Sequence, residues 1–341
     1  MSTDAVVIWG ELLWDRYPAA WALPDGSDQR SQIAGGGDGS AGGSPQRGEK
    51  APRGIDRLGG APANVAWHFA QAGGWAQLVT RVGDDEDGRR AIAMLDGLVD
   101  TSLVQIDPDR ATGVVTIDVD QGEPRYTLHP GRAWERIECT DAVRDAIHDA
   151  GMLVYGTLSQ RTADGFAQWR LALEAGSRVL KVYDANLRPN DQASHVIGHA
   201  LDHADLVKLN DREVAQLRDL FGWADPIARL RTPGDSALGR ARESQPARPR
   251  ILVVTHGAAG STIYPLEGPA IDIPGLPAPA GGDNVGCGDA YLALLLFGMT
   301  CGWDLATSGR IASRWAAAVA GVRGATPLFD DERIAELLEL V

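Results

Sequence analysis

Between Gly281 and Asp289 the chain reads Gly-Gly-Asp-Asn-Val-Gly-Cys-Gly-Asp, and an apolar, helix-forming run, Ala290–Met299, follows at once. Glycine lets the backbone take positive φ and lets a ligand approach the amides with no Cβ in the way. The first N–H groups of a helix lack intrahelical acceptors and lie at the positive end of its dipole. Such a place attracts an anion, typically a phosphate. A carboxylate at its lip, Asp289, is placed to take a proton from a hydroxyl attacking phosphorus, and near a helix N-terminus it should stay ionised at pH 7. The amides of Gly286, Cys287 and Gly288 would meet the charge developing on the transferred group. Out of context the same residues also make an ordinary glycine turn with an acid in the first helical turn. No histidine lies near Cys287 in the sequence, so it reads as a small filler and not as a reactive thiol.

Other groups carry double readings. Asn210-Asp211-Arg212-Glu213 follows the strand-like Asp205–Leu209, and Asn with Glu three later is a capping box. Thr255-His256-Gly257-Ala258-Ala259-Gly260 closes a buried strand, where ligands gather in open α/β folds. A carboxylate such as Asp15 and an amide such as Asn64 can take or bridge adjacent hydroxyls. They also suit a strand-end turn and a helix N-cap. His195, His199 and His203 recur at helical spacing, and two histidines four apart can share zinc. No His-Glu-x-x-His pattern or cysteine cluster accompanies them, so a solvated helix face is the better reading.

Asp283-Asn284-Val285-Gly286-Cys287-Gly288-Asp289 resembles the D-[TS]-x-G-[AC]-G-D element of the ribokinase-type (PfkB) sugar kinases. Gly59-Gly60-Ala61-Pro62-Ala63-Asn64-Val65-Ala66 resembles that family's GG-x-x-x-N-x-A pattern, with its usual sequel in Arg81-Val82-Gly83-Asp84-Asp85-x-x-Gly88. Two distant motifs in the right order are far more specific than either alone. Gly10-Glu11-Leu12-Leu13-Trp14-Asp15 and Tyr183-Asp184-Ala185-Asn186-Leu187-Arg188-Pro189 are most similar to the fructokinase-like branch. The resemblance covers nearly the whole chain apart from two insert-like segments.

The resemblance implies Asp289 as the base and Gly286, Cys287 and Gly288 as an anion hole. It assigns Asp15 and Asn64 to sugar hydroxyls, Gly59 and Gly60 to close backbone approach, and Arg188 to the acceptor sugar or the transferring phosphate. On the nucleotide side it implies ATP at Asn210, Glu213, Thr255, Gly257 and Gly260, with Glu213 acting through water on the magnesium–phosphate group. Asp283 lies in a loop that in relatives often holds a monovalent cation such as potassium. The pattern departs there: Asn284 stands where Thr or Ser is common, and Gly282 where a β-branched residue usually precedes the Asp.

These residues need a scaffold. Strand-like runs occur at Val6–Trp9, Gln77–Val82, Val114–Val119, Leu153–Tyr155, Leu180–Asp184, Leu206–Leu209 and Ile251–Thr255. Helical patterns lie between most of them, at Ala63–Ala72, Arg89–Gly97, Asp141–Ala150, Gly165–Glu174, Ser194–His203 and Arg212–Phe221. The alternation predicts an α/β fold, a mainly parallel central sheet covered by helices on both faces. The resemblance makes this a single ribokinase-like kinase domain over 1–341. Val114–Val119 and Arg125–Leu128 read as a hairpin outside that pattern. In the family this region belongs to a small β-sheet lid, here near 11–60 and 112–130, that covers the sugar and often pairs with a second subunit as a homodimer. Residues 24–57 are rich in Gly, Ser, Asp and Arg and predict a flexible, low-complexity insert. Residues 232–249 read as a polar linker. Trp67, Trp75, Trp169 and Trp315 are expected in core and rim packing.

The formal net charge is −14, from 32 basic and 46 acidic residues, which argues against nucleic acid or an anionic membrane as the main partner. The three cysteines, Cys139, Cys287 and Cys301, are scattered and suit a reducing compartment. No apolar run reaches the length of a bilayer span, so the expectation is a cytoplasmic protein. The expected activity is ATP- and Mg²⁺-dependent phosphorylation of a sugar at a primary hydroxyl, with fructose the first choice. Rivals inside the class are 2-keto-3-deoxygluconate, another ketose and a nucleoside. A rival of another class is a non-catalytic sugar-binding or regulatory protein on the same fold.

Overall fold

Strand β1 (Ala5–Trp9) is buried at every position, and its side chains alternate between two cores, Val6 and Ile8 in one, Val7 and Trp9 in the other. A strand apolar on both faces belongs inside a parallel sheet covered on both sides. The computed structural model shows that sheet; it describes residues 5–17, 55–120, 123–188, 193–232, 251–265 and 267–340. Parallel to one another and side by side run β5 (Val104–Asp107), β4 (Trp75–Gly83), β1, β8 (Met152–Tyr155), β9 (Leu180–Asp184), β10 (Leu206–Asn210) and β11 (Ile251–Thr255). Two antiparallel strands, β12 (Gly260–Tyr264) and β13 (Ile271–Pro274), complete the edge beyond β11. A separate small sheet joins β3 (Ile55–Gly59), β2 (Leu13–Tyr17), β6 (Gly113–Asp120) and β7 (Glu123–Leu128) in that order.

Helices cover both faces, as expected. The first core receives α1 (Ala61–Gln71), α2 (Glu86–Leu95), α8 (Cys287–Thr300), α9 (Leu305–Ala320) and α10 (Asp331–Leu338). The second receives α3 (Asp141–Asp149), α4 (Ala163–Ala175), α5 (Ser194–His203), α6 (Asp211–Phe221) and α7 (Pro226–Arg231). α8 is apolar nearly all round because it lies between α1 and α9 and is buried over most of its surface.

α1 has a second task. Beyond Asn64, its polar residues hold the stretch that follows α9. Trp67 Nε1 and Gln71 Nε2 both donate to the Pro327 carbonyl, at 3.0 and 2.9 Å, and Phe329 N–H donates to Gln71 Oε1 at 2.6 Å. His68 Nε2 donates to the Ala325 carbonyl at 2.8 Å while its Nδ1 accepts from Trp315 Nε1 at 3.1 Å. Burial pulls the His68 pKa down to about 4, so the ring stays neutral in that one tautomer.

Several expectations need correction. The insert at 24–57 falls outside the described residues except at its end. There Ile55, Asp56 and Arg57 are strand, paired with Tyr17, Arg16 and Asp15 of β2. Asp56 is tied to Arg16 at 2.9 Å and Arg90 at 2.8 Å, so charge pairing orders residues that composition read as flexible. The linker at 232–249 lies outside the described residues apart from Thr232. The helix expected from Arg89 starts at Glu86, because the Asp85 side chain caps it by accepting from Gly88 N–H at 2.7 Å. Trp67, Trp169 and Trp315 are buried, whereas Trp75 opens β4 with its ring exposed. The histidine face is not simply solvated: His195 and His199 meet the Phe166 ring edge-on, at centroid distances of 5.6 and 5.0 Å. Among the described residues no helix is long and apolar enough to cross a membrane.

Candidate active site

The site forms where the parallel strands end at their carboxyl sides, as open α/β sheets dictate. α8 starts from Gly286, whose φ of 75° is left-handed, and an added Cβ there would lie 2.6 Å from the Ala325 Cβ. Glycine alone fits both demands. Asp289 sits in the first turn of α8, and two amides hold its carboxyl. Asn64 Nδ2 donates to one oxygen at 2.8 Å and Asn186 Nδ2 to the other at 3.3 Å. Asn64 reaches this place because α1 begins immediately after Gly60. At that glycine φ is 101°, and a Cβ would fall 2.4 Å from the Glu11 carbonyl oxygen. Gly59 lies so close to Asp15 that its own Cβ would meet Asp15 Oδ2 at 2.5 Å.

The centre is rich in acids. Burial, then the charge of Asp184, pushes Asp289 up to about 6, while Lys208 and the amides of Asn64 and Asn186 pull it back. Desolvation thus outweighs the helix terminus, yet a carboxyl with a pKa of about 6 is still mostly ionised at pH 7. Burial likewise lifts Asp15 and Glu11 to about 7 each, against the opposing charge of Arg188. The Cys287 thiol is driven up to about 12 by burial and by Asp283 and Asp289, which keeps it protonated and inert. Two buried acceptors, Asn64 Oδ1 and Glu11 Oε2, have no hydrogen-bond partner among the described residues. Such orphans ask for a donor from a ligand.

On the other side, Asn210 and Glu213 make the full capping box at the start of α6, with Glu213 N–H donating to Asn210 Oδ1 at 3.0 Å. Both Glu213 oxygens accept backbone N–H groups, from Asn210 at 2.8 Å and from Leu187 at 2.9 Å. Burial raises its pKa despite Lys208 nearby. Thr255 pairs in register with Asn210, and His256 Nδ1 bonds Asp211 at 2.7 Å. Gly257 has a φ of 57° with open space at its Cβ position; Gly260, at φ 107°, is packed against the Ile273 carbonyl. Asp283 clasps two loops through Val285 N–H at 3.1 Å and Gly324 N–H at 3.3 and 3.1 Å. Among the described residues no three His, Cys, Asp or Glu side chains are grouped to hold a metal ion.

Asp184, Asn186 and Lys208 were not among the expected site residues. Asp184 accepts from Lys208 Nζ at 2.8 Å and from Asn186 Nδ2 at 3.5 Å, so one chain of contacts runs from Lys208 to Asp289. A signal existed for the first two, in the Asp184-Ala185-Asn186 motif, and in the left-handed φ of 44° at Asn186 that few residues but Asn tolerate. Lys208 had a weaker one: it is a lysine inside a strand otherwise apolar from Leu206 to Leu209.

The model of the pfkB family carbohydrate kinases matches residues 43–332. The chain belongs to this family. It is accordingly a sugar kinase, a phosphotransferase. A Klebsiella pneumoniae fructokinase is 31% identical over 265 residues, covering 73% of this chain and 80% of that protein. Fructokinase-1 of Zea mays is 30% identical over 262 residues, covering 72% and 75%. Among solved structures, the ATP-bound fructokinase of Xylella fastidiosa superposes with a TM-score of 0.77 at 20% identity, covering 99% of this chain and 98% of that one. Aminoimidazole riboside kinase from Salmonella enterica gives 0.69 at 19% identity, covering 98% and 100%. The PfkB fold is thus shown by relatives whose named substrates differ.

Proposed function

We propose that this PfkB kinase transfers the γ-phosphate of ATP to a primary hydroxyl of a sugar, fructose being the first candidate. The observation that carries the reading is the convergence of Asn64 and Asn186 on Asp289 at the N-terminus of α8. A carboxyl held at both oxygens at the mouth of an anion-binding turn is built to take a proton beside a phosphate.

In this reading Asp289 accepts the hydroxyl proton, and its raised pKa brings it closer to the working pH, where a base is most effective. The amides of Gly286, Cys287 and Gly288 stabilise the charge on the transferring group. Asn64 orients the base through Nδ2 and offers its free Oδ1 to a sugar hydroxyl. Asp15 lies where its carboxyl can bond a hydroxyl, and Arg188 counters the acids around it. The small sheet that carries Asp15 is the inferred lid. Magnesium, when bound, neutralises the ATP phosphates. Such an ion would be held mostly by phosphate and water oxygens. Glu213 would reach it through water using the lone pairs its two N–H partners leave. A monovalent cation such as potassium would be held at the Asp283 clasp, where it would compete with N–H donors for the same oxygens.

The fructokinase relatives support fructose over a nucleoside. ADP release measured against a panel of fructose, 2-keto-3-deoxygluconate, other ketoses and nucleosides tests the reading. Fructose should give the highest kcat/KM. Turnover of none of them, with sugar binding intact, would replace it with a binding protein on the same fold.

A further inference from the structure

Lys208 lies beneath the anion-binding turn, and no motif gives it a role. It is 4% exposed, and its Nζ donates to Asp184 Oδ1 at 2.8 Å. A Cβ added to Gly288 would stand 3.2 Å from that Nζ, so the ammonium packs against the residue that precedes Asp289. A buried ion pair is a poor device for stability, since apolar residues of similar volume often serve as well. Its charge therefore points to a use.

The groups that bear on Asp289 come from every neighbouring element. They are Asn64 on α1, Asp184 and Asn186 at the end of β9, Lys208 on β10, Glu11 after β1, Asp15 on β2, and Cys287 on α8 itself. Lys208 is the cation among the strongest influences on Asp289; Arg188 adds positive charge nearby, acting on Glu11 and Asp15. We propose that Lys208, locked by Asp184 beneath Gly288, is a positioning residue that keeps the Asp289 carboxyl ionised among these acids and supplies fixed positive charge under the phosphate-binding turn. This deepens the kinase reading and rests on Asp289 as the proton acceptor. Burial pulls the lysine pKa down, but Asp184, Glu213 and Asp289 outweigh it and hold it at about 12, so the charge persists at any working pH.

The test is a carboxyl ¹³C titration of the full chain, with the Asp289 signal identified by its loss in Asp289→Asn. Lys208→Met should move the Asp289 titration up by about one pH unit or more, the scale of a close opposite charge. Lys208→Arg should leave it near the wild-type position. Asp184→Asn removes a like charge and should move it down, and Lys208→Met with Asp184→Asn should fall between the single variants. The acid limb of kcat/KM should follow the same order, with the sugar KM changed less than about three-fold. If Lys208→Met does not fold, Asp184→Asn and the double variant decide. An Asp289 titration that stays put in all folded variants, or moves the same way in Lys208→Met and Asp184→Asn, overturns the proposal. Loss of the kinase reading would look different: the wild type would phosphorylate no sugar or nucleoside, and the titrations would still show whether Lys208 sets the protonation of Asp289.

Discussion

Asn64 and Asp289 stand 225 positions apart in the chain and meet through a 2.8 Å hydrogen bond between buried side chains. The amide nitrogen faces the carboxyl, so the amide oxygen is the atom left over for a substrate. A single side chain thereby links the helix of the inferred sugar side to the helix of the proposed anion hole. Asn64→Ala should raise the sugar KM and lower kcat together, by about ten-fold or more in kcat/KM, the scale of a hydrogen bond to a charged group. Steady-state kinetics with each substrate varied checks this; the ATP KM should hardly move.

Asp289→Asn should lower kcat by about 10² or more while leaving sugar and ATP affinities within a few-fold, as for a positioned base. Calorimetric binding beside turnover checks it. A variant retaining more than about a tenth of kcat would remove Asp289 from the role.

Gly286→Ala places a side chain at φ 75° and drives it against Ala325. Strain and overpacking together should cost about 1–3 kcal/mol, visible as a lower Tm. Because the same turn is the proposed phosphate site, kcat should fall even in the protein that remains folded.

Glu11 gives a pH prediction. Its pKa rises from 4.5 to about 7, chiefly through burial. A raised carboxyl stabilises the fold fully below the unfolded pKa and loses that contribution as pH rises through the folded value. Glu11→Gln should therefore match wild type near pH 4 and exceed it at pH 8, by up to about 3 kcal/mol. Denaturant melts at the two pH values decide it; an equal gain at both would show that charge is not the cause.

Activity should vanish with excess EDTA and return with Mg²⁺, because the ATP phosphates need a divalent cation. Glu213→Gln should raise the magnesium requirement with little change in sugar affinity. It should also lower Tm, since one of the backbone N–H donors of Asn210 and Leu187 would then face an amide NH₂. Replacing His195, His199 and His203 together should leave the magnesium response unaltered.

Much of this architecture was legible in the sequence because strand and helix periodicity are local signals. Leu180–Asp184, Ser194–His203 and Ile251–Thr255 fall where their patterns place them. Asn210 and Glu213 were readable because a capping box spans four residues. The charge network was not. Nothing local tells that Asp184 of β9 and Lys208 of β10 face one another, or that Asp56 would recruit Arg16 and Arg90 to order the end of a glycine-rich segment. The same blindness hides the raised pKa of Asp289: its sequence neighbours show a helix terminus, while the burial that lifts it comes from distant elements.

The grip of Trp67, His68 and Gln71 on Ala325, Pro327 and Phe329 bears on how the molecule is made. Synthesis delivers α1 well before those partners. Until residues 325–329 leave the ribosome, docking α1 would bury polar atoms with no acceptor or donor, a cost that discourages early docking. Ala325 also backs Gly286, so the turn proposed as the anion hole cannot take its final shape before then. The nascent chain is thus held short of a working centre, and native-state hydrogen exchange should find α1, α8 and the 325–329 stretch opening as one unit.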